Sequence, residues 1–282
     1  MTARVLQSDV LLAAHFSVRY AGKPPVLRDV ALEIRQCEIL GLVGQSGSGK
    51  STLAMAVLGL LDRKRAQVEG TIKFQDCELL QLRERQLRGM RGRALALVLQ
   101  SPLSSLNPAL RIRTQLKEAW RAHVSGSRVD CDAAIRAALE SVSLPSSDEF
   151  LRKYPSQMSV GQAQRVLIAM AVMHRPALLI ADEATSALDV ITQSEILALF
   201  ARLNRETGTA ILYISHDLAS VAEICDRIAI LHDGQIVECG TRDQIFASPQ
   251  HEYTRRLIAA LPRMPQMISS SPLAKDAAAG AP

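Results

Sequence analysis

The sequence predicts an α/β protein built around a parallel sheet, and three observations lead to that prediction. Two short apolar runs, residues 177–181 and 210–214, each end in polar residues and each follow helical sequence, which is the pattern of βαβ units. A third run, residues 38–43, stops at a glycine-rich turn, and a helical pattern follows at 51–61. Hydrophobic residues make up 48% of the 282-residue chain and aromatic residues 4%, so the core is expected to be substantial and mostly aliphatic.

The N-terminal part is predicted to be rich in strands. Residues 10–20 mix apolar residues with residues that favour strands, and residues 30–35 alternate apolar and polar side chains as a half-buried strand does. Two further strands are predicted at 71–74 and 94–99.

The second half combines a helical arm with a hairpin. Residues 112 to about 140 follow a helical pattern, and another helix is predicted to begin near Ser159. Residues 228–231 and 235–238 flank a His-Asp-Gly turn signal and predict a hairpin. Residues 263–282 carry proline, serine and alanine with little pattern, so we expect a disordered tail.

Composition narrows the classes of function. A net charge of +5 suits anionic ligands or a membrane surface, but it is too small to indicate a nucleic-acid partner. The longest apolar stretch, residues 166–173, is far shorter than the roughly 20 residues of a membrane helix, and the N-terminus lacks a secretory signal. We therefore expect a soluble chain that needs a partner subunit for any membrane role. The five cysteines are widely spaced, which favours a reduced cytosolic setting over a disulfide framework.

A glycine-rich turn carries the first candidate chemistry. Residues 44–51 read GQSGSGKS and fit the pattern GxxxxGK[ST], between a predicted buried strand and a predicted helix. Glycines allow backbone N–H groups to close around phosphates, and the start of the helix adds positive potential. Lys50 is expected to reach the β- and γ-phosphates and Ser51 to bind Mg²⁺. The alternative is a simple glycine turn.

Two other strand ends carry polar side chains. Residues 178–181 lead into Asp182 and Glu183, and residues 211–214 lead into His216. Ligands of open α/β sheets bind at the carboxyl ends of strands, where an aspartate can hold Mg²⁺ and an adjacent glutamate can polarise the attacking water. His216 is then placed to contact the γ-phosphate. The alternative for Asp182 and Glu183 is that they are simply exposed charges at a strand end. The alternative for His216 is a structural or surface histidine.

In this order the motifs resemble the ATP-binding subunit of an ABC transporter, over about residues 8–262. The resemblance implies a P-loop NTPase (RecA-like) core with an antiparallel β-subdomain and an inserted helical subdomain at about 102–160. It implies an ATPase domain over 1–262, followed by the tail at 263–282. Residues 44–51 then form the Walker A loop, residues 186–189 the D-loop, and residues 159–162 the signature.

The resemblance also assigns site residues and the ligands ATP and Mg²⁺. The implied catalytic residues are Glu183, His216, Lys50 and Gln100, the last being the Q-loop glutamine. The implied Mg²⁺-binding residues are Ser51, Gln100 and Asp182. Tyr20 is implied to stack on adenine. The other implied nucleotide contacts are Gly44, Gln45, Ser46, Gly47, Ser48, Gly49, Lys50, Ser51, Thr52, Ser159, Gly161, Gln162 and Asp189.

Two segments narrow the resemblance to importers of dipeptides, oligopeptides or nickel. Residues 104–108 read SSLNP, similar to the TSLNP of that group, and residues 251–257 with 259–262 resemble its C-terminal HPYTRxLLxAxP segment. Many such subunits continue with a cysteine-rich extension, but no cysteine follows Cys239, so no iron–sulfur cluster is expected. Ala184 replaces a proline that often follows the glutamate.

The partners and location follow from the resemblance. Two ATPase subunits are expected to face each other head to tail, with a heterodimer favoured and a homodimer as the alternative. Two integral-membrane permease subunits are expected partners, and a periplasmic or extracellular solute-binding protein an indirect one. The chain is expected to be peripheral, at the cytoplasmic face of the inner (plasma) membrane. ATP binding is expected to close the dimer and hydrolysis to release it.

Several functions remain open at the level of sequence. The leading hypothesis is the ATPase of an importer for di- or oligopeptides or a similar small solute. Nickel or metal-chelate import is an alternative, and so is a soluble, non-transport ABC ATPase of the phosphonate-metabolism type. A regulatory nucleotide binder that does not hydrolyse ATP is disfavoured, because Lys50, Glu183 and His216 are all present.

One residue of the signature departs from the family pattern. Ser159 and Gln162 have the spacing of a capping box at the start of a helix. Val160 stands where the family usually has its first glycine, and its backbone is expected to be tolerated there. Its branched side chain is expected to crowd the phosphate or the facing loop of the partner. We therefore predict that the ATP site served by this signature is weaker than the site that contains Lys50.

Overall fold

The structure is a computed structural model that describes residues 9–261. The predicted disordered tail, 263–282, lies outside the described residues, as do residues 1–8. The strands are β1 Val10–Tyr20, β2 Pro25–Arg35, β3 Ile39–Val43, β4 Ala66–Phe74, β5 Cys77–Glu78, β6 Leu95–Val98, β7 Leu178–Asp182, β8 Ala210–Ser215, β9 Arg227–His232 and β10 Gln235–Thr241. The helices are α1 Lys50–Val57, α2 Glu84–Met90, α3 Pro102–Ser105, α4 Ile112–Arg121, α5 Arg128–Ser141, α6 Asp148–Leu151, α7 Val160–Val172, α8 Val190–Thr207, α9 Leu218–Ile224, α10 Arg242–Ala247 and α11 Glu252–Ala259.

Two sheets organise the chain. The larger has the order β10-β9-β3-β8-β7-β6; its strands from β9 to β6 run parallel, and β10 pairs antiparallel with β9. The smaller is antiparallel with the order β2-β1-β4-β5. This confirms the predicted fold class, including the parallel sheet, the antiparallel β-subdomain and the C-terminal hairpin.

The parallel sheet separates two apolar cores because successive side chains of a strand point to opposite faces. Leu40 and Leu42 of β3 lie in a core shared with α1 and the antiparallel sheet. Ile39 and Val43 of the same strand lie in a core shared with α7, α8 and the helical segment 102–158. Trp120 of the helical segment is buried in that second core, which the segment shares with the sheet. The strand ends are therefore held from both faces.

Several predicted boundaries were wrong for identifiable reasons. The helix predicted at 51–61 ends at Val57, since Gly59 adopts a left-handed backbone (φ 61°). The helical pattern at 112–140 is two helices, because Ser127 caps the start of α5. Strands β2 and β4 begin earlier than predicted, since both pair with β1 almost to its end. Helices α2, α9, α10 and α11 were not predicted.

No helix among residues 9–261 is long and apolar enough to cross a bilayer. All five cysteines lie in this part of the chain and are free thiols.

Candidate active site

The glycine-rich loop joins β3 to α1, as predicted. A β-carbon on Gly44 would lie 2.2 Å from the carbonyl oxygen of Leu231, so only glycine fits beside β9. Gly49 has φ 107°, a conformation that side chains disfavour, and a β-carbon there would lie 2.6 Å from Leu27. The loop thus packs against β2 and β9, and α1 begins at Lys50.

Lys50 is held inside this loop. Its buried ammonium group donates to the carbonyl oxygens of Gly44 (2.8 Å) and Gln45 (3.0 Å). The same Nζ lies 3.8 Å from Glu183 Oε1. Burial lowers the pKa of Lys50, while the carboxylates of Glu183 and Asp182 oppose that shift. The ammonium group therefore stands between the loop and the end of β7.

Asp182 ends strand β7 and is 7% exposed. Its Oδ1 atom is buried and has no hydrogen-bond partner among residues 9–261. Burial raises the pKa of this carboxyl group, while the nearby Ser51 hydroxyl and the charge of Lys50 act in the opposite direction. A buried carboxylate oxygen without a partner is costly, so the site fits a bound cation.

Glu183 follows with a left-handed backbone (φ 49°), which is unusual for a residue with a side chain. Its N–H donates to the carbonyl oxygen of Ile214 (2.9 Å), and this bond attaches the residue after β7 to the neighbouring strand β8. The carboxylate then lies between two bases, 3.8 Å from Lys50 and 3.5 Å from His216 Nδ1. The structure thus brings together the three residues that the sequence predicted from separate strand ends.

His216 follows β8 and is 56% exposed on its side chain. Behind it lies a buried cluster of hydroxyl groups that the sequence analysis missed. Tyr213 of β8 is fully buried, and its hydroxyl lies 2.8 Å from Thr185 Oγ1 and 3.4 Å from Ser220 Oγ. This cluster ties the loop after Glu183 to β8 and α9, the two elements that flank His216. A tyrosine in an otherwise aliphatic strand was its signal in the sequence.

Gln100 follows β6 and contacts the loop after Glu183. Its Nε2 donates to Ser186 Oγ (3.0 Å), which in turn donates to the Glu183 carbonyl oxygen (3.1 Å). Through Ser186, the predicted Q-loop glutamine is linked to the backbone of the predicted catalytic glutamate. Among residues 9–261 it makes no hydrogen bond to Ser51 or Asp182, so its role at a metal stays a prediction.

Tyr20 lies half-buried at the end of β1, packed beside the core that α1 shares. A cleft beside the glycine-rich loop is lined by residues 45–48, by residues 232–234 and by the start of β2. Tyr20 does not line that cleft, so its contact with adenine stays a prediction.

The predicted capping box at the start of α7 is confirmed. Ser159 Oγ accepts from the Gln162 N–H (3.1 Å), and Gln162 Oε1 accepts from the Ser159 N–H (3.3 Å). Val160, the first helical residue, is 38% exposed. Within residues 9–261, no hydrogen bond or ion pair joins this segment to the glycine-rich loop. The structure therefore leaves the predicted signature outside the site that Lys50 forms in the same chain.

The start of α8 lies against the start of α7. Asp189 caps α8 by accepting from the Thr192 N–H (3.0 Å) and the Thr192 hydroxyl (2.7 Å). A β-carbon on Gly161 would lie 2.7 Å from Thr192 Cγ2. The glycine of the predicted signature is thus required by contact with the helix that the predicted D-loop begins. Thr192 was missed by the sequence analysis.

The side-chain oxygens of Ser51 and Asp182 fit a Mg²⁺ ion that also binds a phosphate chain. Ser51 is exposed at the first turn of α1, near the buried carboxylate of Asp182. Mg²⁺ typically takes one or two protein oxygens and completes its shell with water and phosphate oxygens. The described residues contain no cluster of three or more metal-binding side chains, and this chemistry does not require one.

Comparisons with known proteins agree with this geometry. The model of the ABC transporter family matches residues 27–186, and the model of the oligopeptide/dipeptide transporter C-terminal region matches residues 237–279. The dipeptide transport ATP-binding protein DppD of Bacillus subtilis (strain 168) is 39% identical over 246 residues, 87% of this chain and 73% of DppD. The glutathione import ATP-binding protein GsiA of Escherichia coli (strain K12) is 40% identical over 251 residues, 87% of this chain. The aligned part is 40% of GsiA.

Solved structures show the same fold. A dimeric ATP-binding cassette in a post-hydrolysis state, bound to ADP and Pi, has a TM-score of 0.71 at 26% identity, over 83% of this chain and 98% of that chain. The cbiO1 protein from Clostridium perfringens, part of an ABC transporter complex, has a TM-score of 0.74 at 25% identity, over 91% of this chain and 97% of that chain. The family match covers more than half of the chain and includes the glycine-rich loop, Asp182 and Glu183, so this protein is a member of the ABC transporter family and an ABC-type ATPase.

Proposed function

We propose that this chain is the ATP-hydrolysing subunit of an ABC importer for di- or oligopeptides or a related small solute. The observation that carries the substrate class is the match of residues 237–279 to the oligopeptide/dipeptide transporter C-terminal region. DppD and GsiA, named for dipeptide transport and glutathione import, support the same class of solute. No specific observation favours nickel import or a soluble, non-transport role.

The chain's own residues account for binding of the phosphate chain. Backbone N–H groups of residues 44–51 and the start of α1 face the phosphates, and Lys50 turns from the carbonyl oxygens of its loop toward their negative charge. Ser51 and Asp182 hold Mg²⁺, with Gln100 as a further contact. When bound, Mg²⁺ neutralises charge on the phosphates. Tyr20 stacks on the adenine, and Thr52 contacts the phosphates.

Glu183 is the residue that orients and polarises the attacking water. Its carboxylate is held between Lys50 and His216, so it is available as an acceptor for a water proton. His216 is sufficiently exposed to contact the γ-phosphate. Gln100, hydrogen-bonded through Ser186 to the Glu183 backbone, links this chemistry to the segment that starts the helical region.

A second ATPase subunit completes the arrangement in this proposal. Ser159, Gly161 and Gln162 of one subunit face the ATP held by Lys50 of the other, and Asp189 lies at the same interface. A dimeric cassette among the structural neighbours supports this assembly. We favour a heterodimer over a homodimer.

The helical region at about 102–160 is the proposed docking arm for two integral-membrane permease subunits. The ATPase domain spans about 1–262 and is peripheral at the cytoplasmic face of the inner membrane. A periplasmic or extracellular solute-binding protein acts on it only through the permeases.

The test is to purify the native complex through this subunit, identify the other subunits, and measure ATPase activity in membranes. A dipeptide, glutathione and a nickel chelate are supplied in separate arms with their binding proteins. We expect permease subunits in the complex and ATPase stimulation by a dipeptide or glutathione. Glu183→Gln is the control and should lower turnover by about 10²-fold or more while ATP binding remains. Co-purification with soluble enzymes alone, or stimulation by the nickel chelate alone, would overturn the proposal.

A further inference from the structure

The C-terminal helix α11 carries the segment that resembles the HPYTR pattern of peptide importers, and its part in ATP hydrolysis is not explained by the roles above. The structure holds this segment in place from β10. Glu238 accepts from the backbone N–H groups of Gln250 (2.8 Å) and His251 (2.9 Å). The His251 ring accepts in turn from the Tyr253 N–H (3.2 Å) and caps α11. The position of Tyr253 is therefore defined by a chain of hydrogen bonds that begins in the parallel sheet.

Tyr253 points inward from this helix and is 7% exposed. Its ring stacks on His232, with ring centroids 3.8 Å apart and planes 11° from parallel. Stacked aromatic pairs contribute more than their buried area alone. His232 is the last residue of β9. This stack therefore joins α11 to the carboxyl end of β9, beside the glycine-rich loop.

The end of β9 also lies beside the glycine-rich loop. His232 lines the same cleft as residues 45–48. Its neighbour Leu231 presents the carbonyl oxygen that excludes any side chain at Gly44. The end of β9 is thus packed directly against the first residue of the loop, and Tyr253 stacks on the last residue of β9.

Tyr253 also approaches the loop itself. Its hydroxyl oxygen is buried and lies outside hydrogen-bonding geometry with any residue from 9 to 261. Burial raises the pKa of this phenol, and the Gln45 backbone lies close enough to oppose that rise. The carbonyl oxygen of Gln45 is one of the two that hold the Lys50 ammonium group (3.0 Å). Tyr253 therefore lies near Gln45, whose carbonyl oxygen helps to orient Lys50.

We propose that Tyr253 is a positioning residue for ATP binding: by stacking on His232, which lines the cleft of residues 45–48, it holds the glycine-rich loop in its phosphate-binding shape. The C-terminal region thereby supports the nucleotide site of its own chain. This role concerns ATP binding and does not depend on which solute is imported.

The experiment uses the full chain in its assembled complex and compares Tyr253→Leu with Tyr253→Phe. Loss of the stack in Tyr253→Leu is expected to raise the KM for ATP about three- to tenfold, the range for loss of an aromatic pair. The kcat at saturating ATP should stay within roughly twofold, since the reacting groups are unchanged. Tyr253→Phe keeps the ring and should restore most of the affinity. Lys50→Ala is the control for loss of nucleotide binding.

Two comparisons separate positioning from general stability. Leu257→Ala removes packing from the same helix and keeps both rings of the stack, so it should lower the thermal midpoint without raising the KM for ATP. In a double-mutant cycle, His232→Ala and Tyr253→Leu should not multiply their effects on KM, because each removes the same stack. The proposal is wrong if Tyr253→Leu lowers the thermal midpoint but leaves KM unchanged. It is also wrong if Tyr253→Phe raises the KM for ATP as much as Tyr253→Leu, or if Leu257→Ala raises it equally. A third contradicting outcome is that the effects of His232→Ala and Tyr253→Leu on KM multiply.

Discussion

Gly161 and Thr192 are in such close contact that a β-carbon on Gly161 would lie 2.7 Å from Thr192 Cγ2. The two residues begin different helices, α7 and α8, and each helix has its own side-chain cap, Ser159 and Asp189. The predicted signature and the predicted D-loop of one chain are therefore in close contact within that chain. The contact predicts how the signature responds to substitution.

Gly161→Ala should lower the free energy of unfolding by about 1–3 kcal/mol, the usual cost of forcing an extra carbon into a packed contact. It should also weaken ATP-driven dimerisation, since α7 must shift away from α8. Thr192→Ser is the matched relief: it removes the methyl group and keeps the hydroxyl that donates to Asp189. Chemical denaturation should show that the double variant recovers most of the loss. A double variant as unstable as Gly161→Ala would mean that the clash lies elsewhere.

Val160→Ala should strengthen ATP-driven dimerisation, because the branched side chain is removed from the exposed first residue of α7. The expected gain is about two- to tenfold, which corresponds to at most about 1.4 kcal/mol. Alanine is a cleaner test than glycine, since glycine also weakens the helix. The measurement is sedimentation of the Glu183→Gln form with ATP, so that hydrolysis does not reverse the dimer. If neither Val160→Ala nor Val160→Gly changes dimerisation or turnover, the valine is simply accommodated.

Asp182→Asn should stabilise the ligand-free chain near neutral pH while it abolishes stabilisation by ATP with Mg²⁺. The physical reason is that the buried Oδ1 atom has no hydrogen-bond partner among residues 9–261. Replacing the charged carboxylate by a neutral amide should raise the free energy of unfolding by about 1–3 kcal/mol. Unfolding by denaturant, with and without the nucleotide and Mg²⁺, measures both effects. A variant that is less stable than the wild type would show that the carboxylate is compensated in the folded chain.

The same variant has a defined pH dependence. Burial raises the pKa of Asp182 in the folded state, so the folded chain binds the proton more tightly than the unfolded chain. The ionised carboxylate therefore destabilises the folded chain fully above the folded-state pKa. It has no such effect below the pKa of the unfolded state, about 3.9. The stability advantage of Asp182→Asn should therefore shrink as pH falls toward 4, about the unfolded value.

Tyr213→Phe should lower kcat about threefold or more and leave the KM for ATP unchanged, because the lost hydroxyl ties the loop of Glu183 to α9, which follows His216. The free energy of unfolding should fall by about 1 kcal/mol. Phe200→Leu is a suitable control: Phe200 packs beside the Tyr213 ring but brings no hydroxyl to the cluster. It should cost stability and keep kcat. Equal losses of kcat in the two variants would assign the effect to packing alone.

Local patterns in the sequence were sufficient for the elements that carry the chemistry. The strand before Gly44, the strand before Asp182 and the cap at Ser159 each depend on residues adjacent in the chain, so their periodicity and turn residues predicted them. Boundaries were less predictable where distant pairing intervenes. Strand β4 begins at Ala66 because β1 pairs with it there, and β1 is far away in the sequence.

The sequence by itself determined the fold class, the glycine-rich loop, the two carboxylates, the histidine at the next strand end and the family. Only the tertiary structure decided which of these side chains meet. Lys50, Glu183 and His216 converge because three parallel strands end at one edge of the sheet. Gln100 with Ser186, Gly161 with Thr192, and Tyr253 with His232 are pairs formed across the packed core or its edge. Such contacts depend on how separate elements pack, and no local pattern of hydrophobicity or turn residues encodes them.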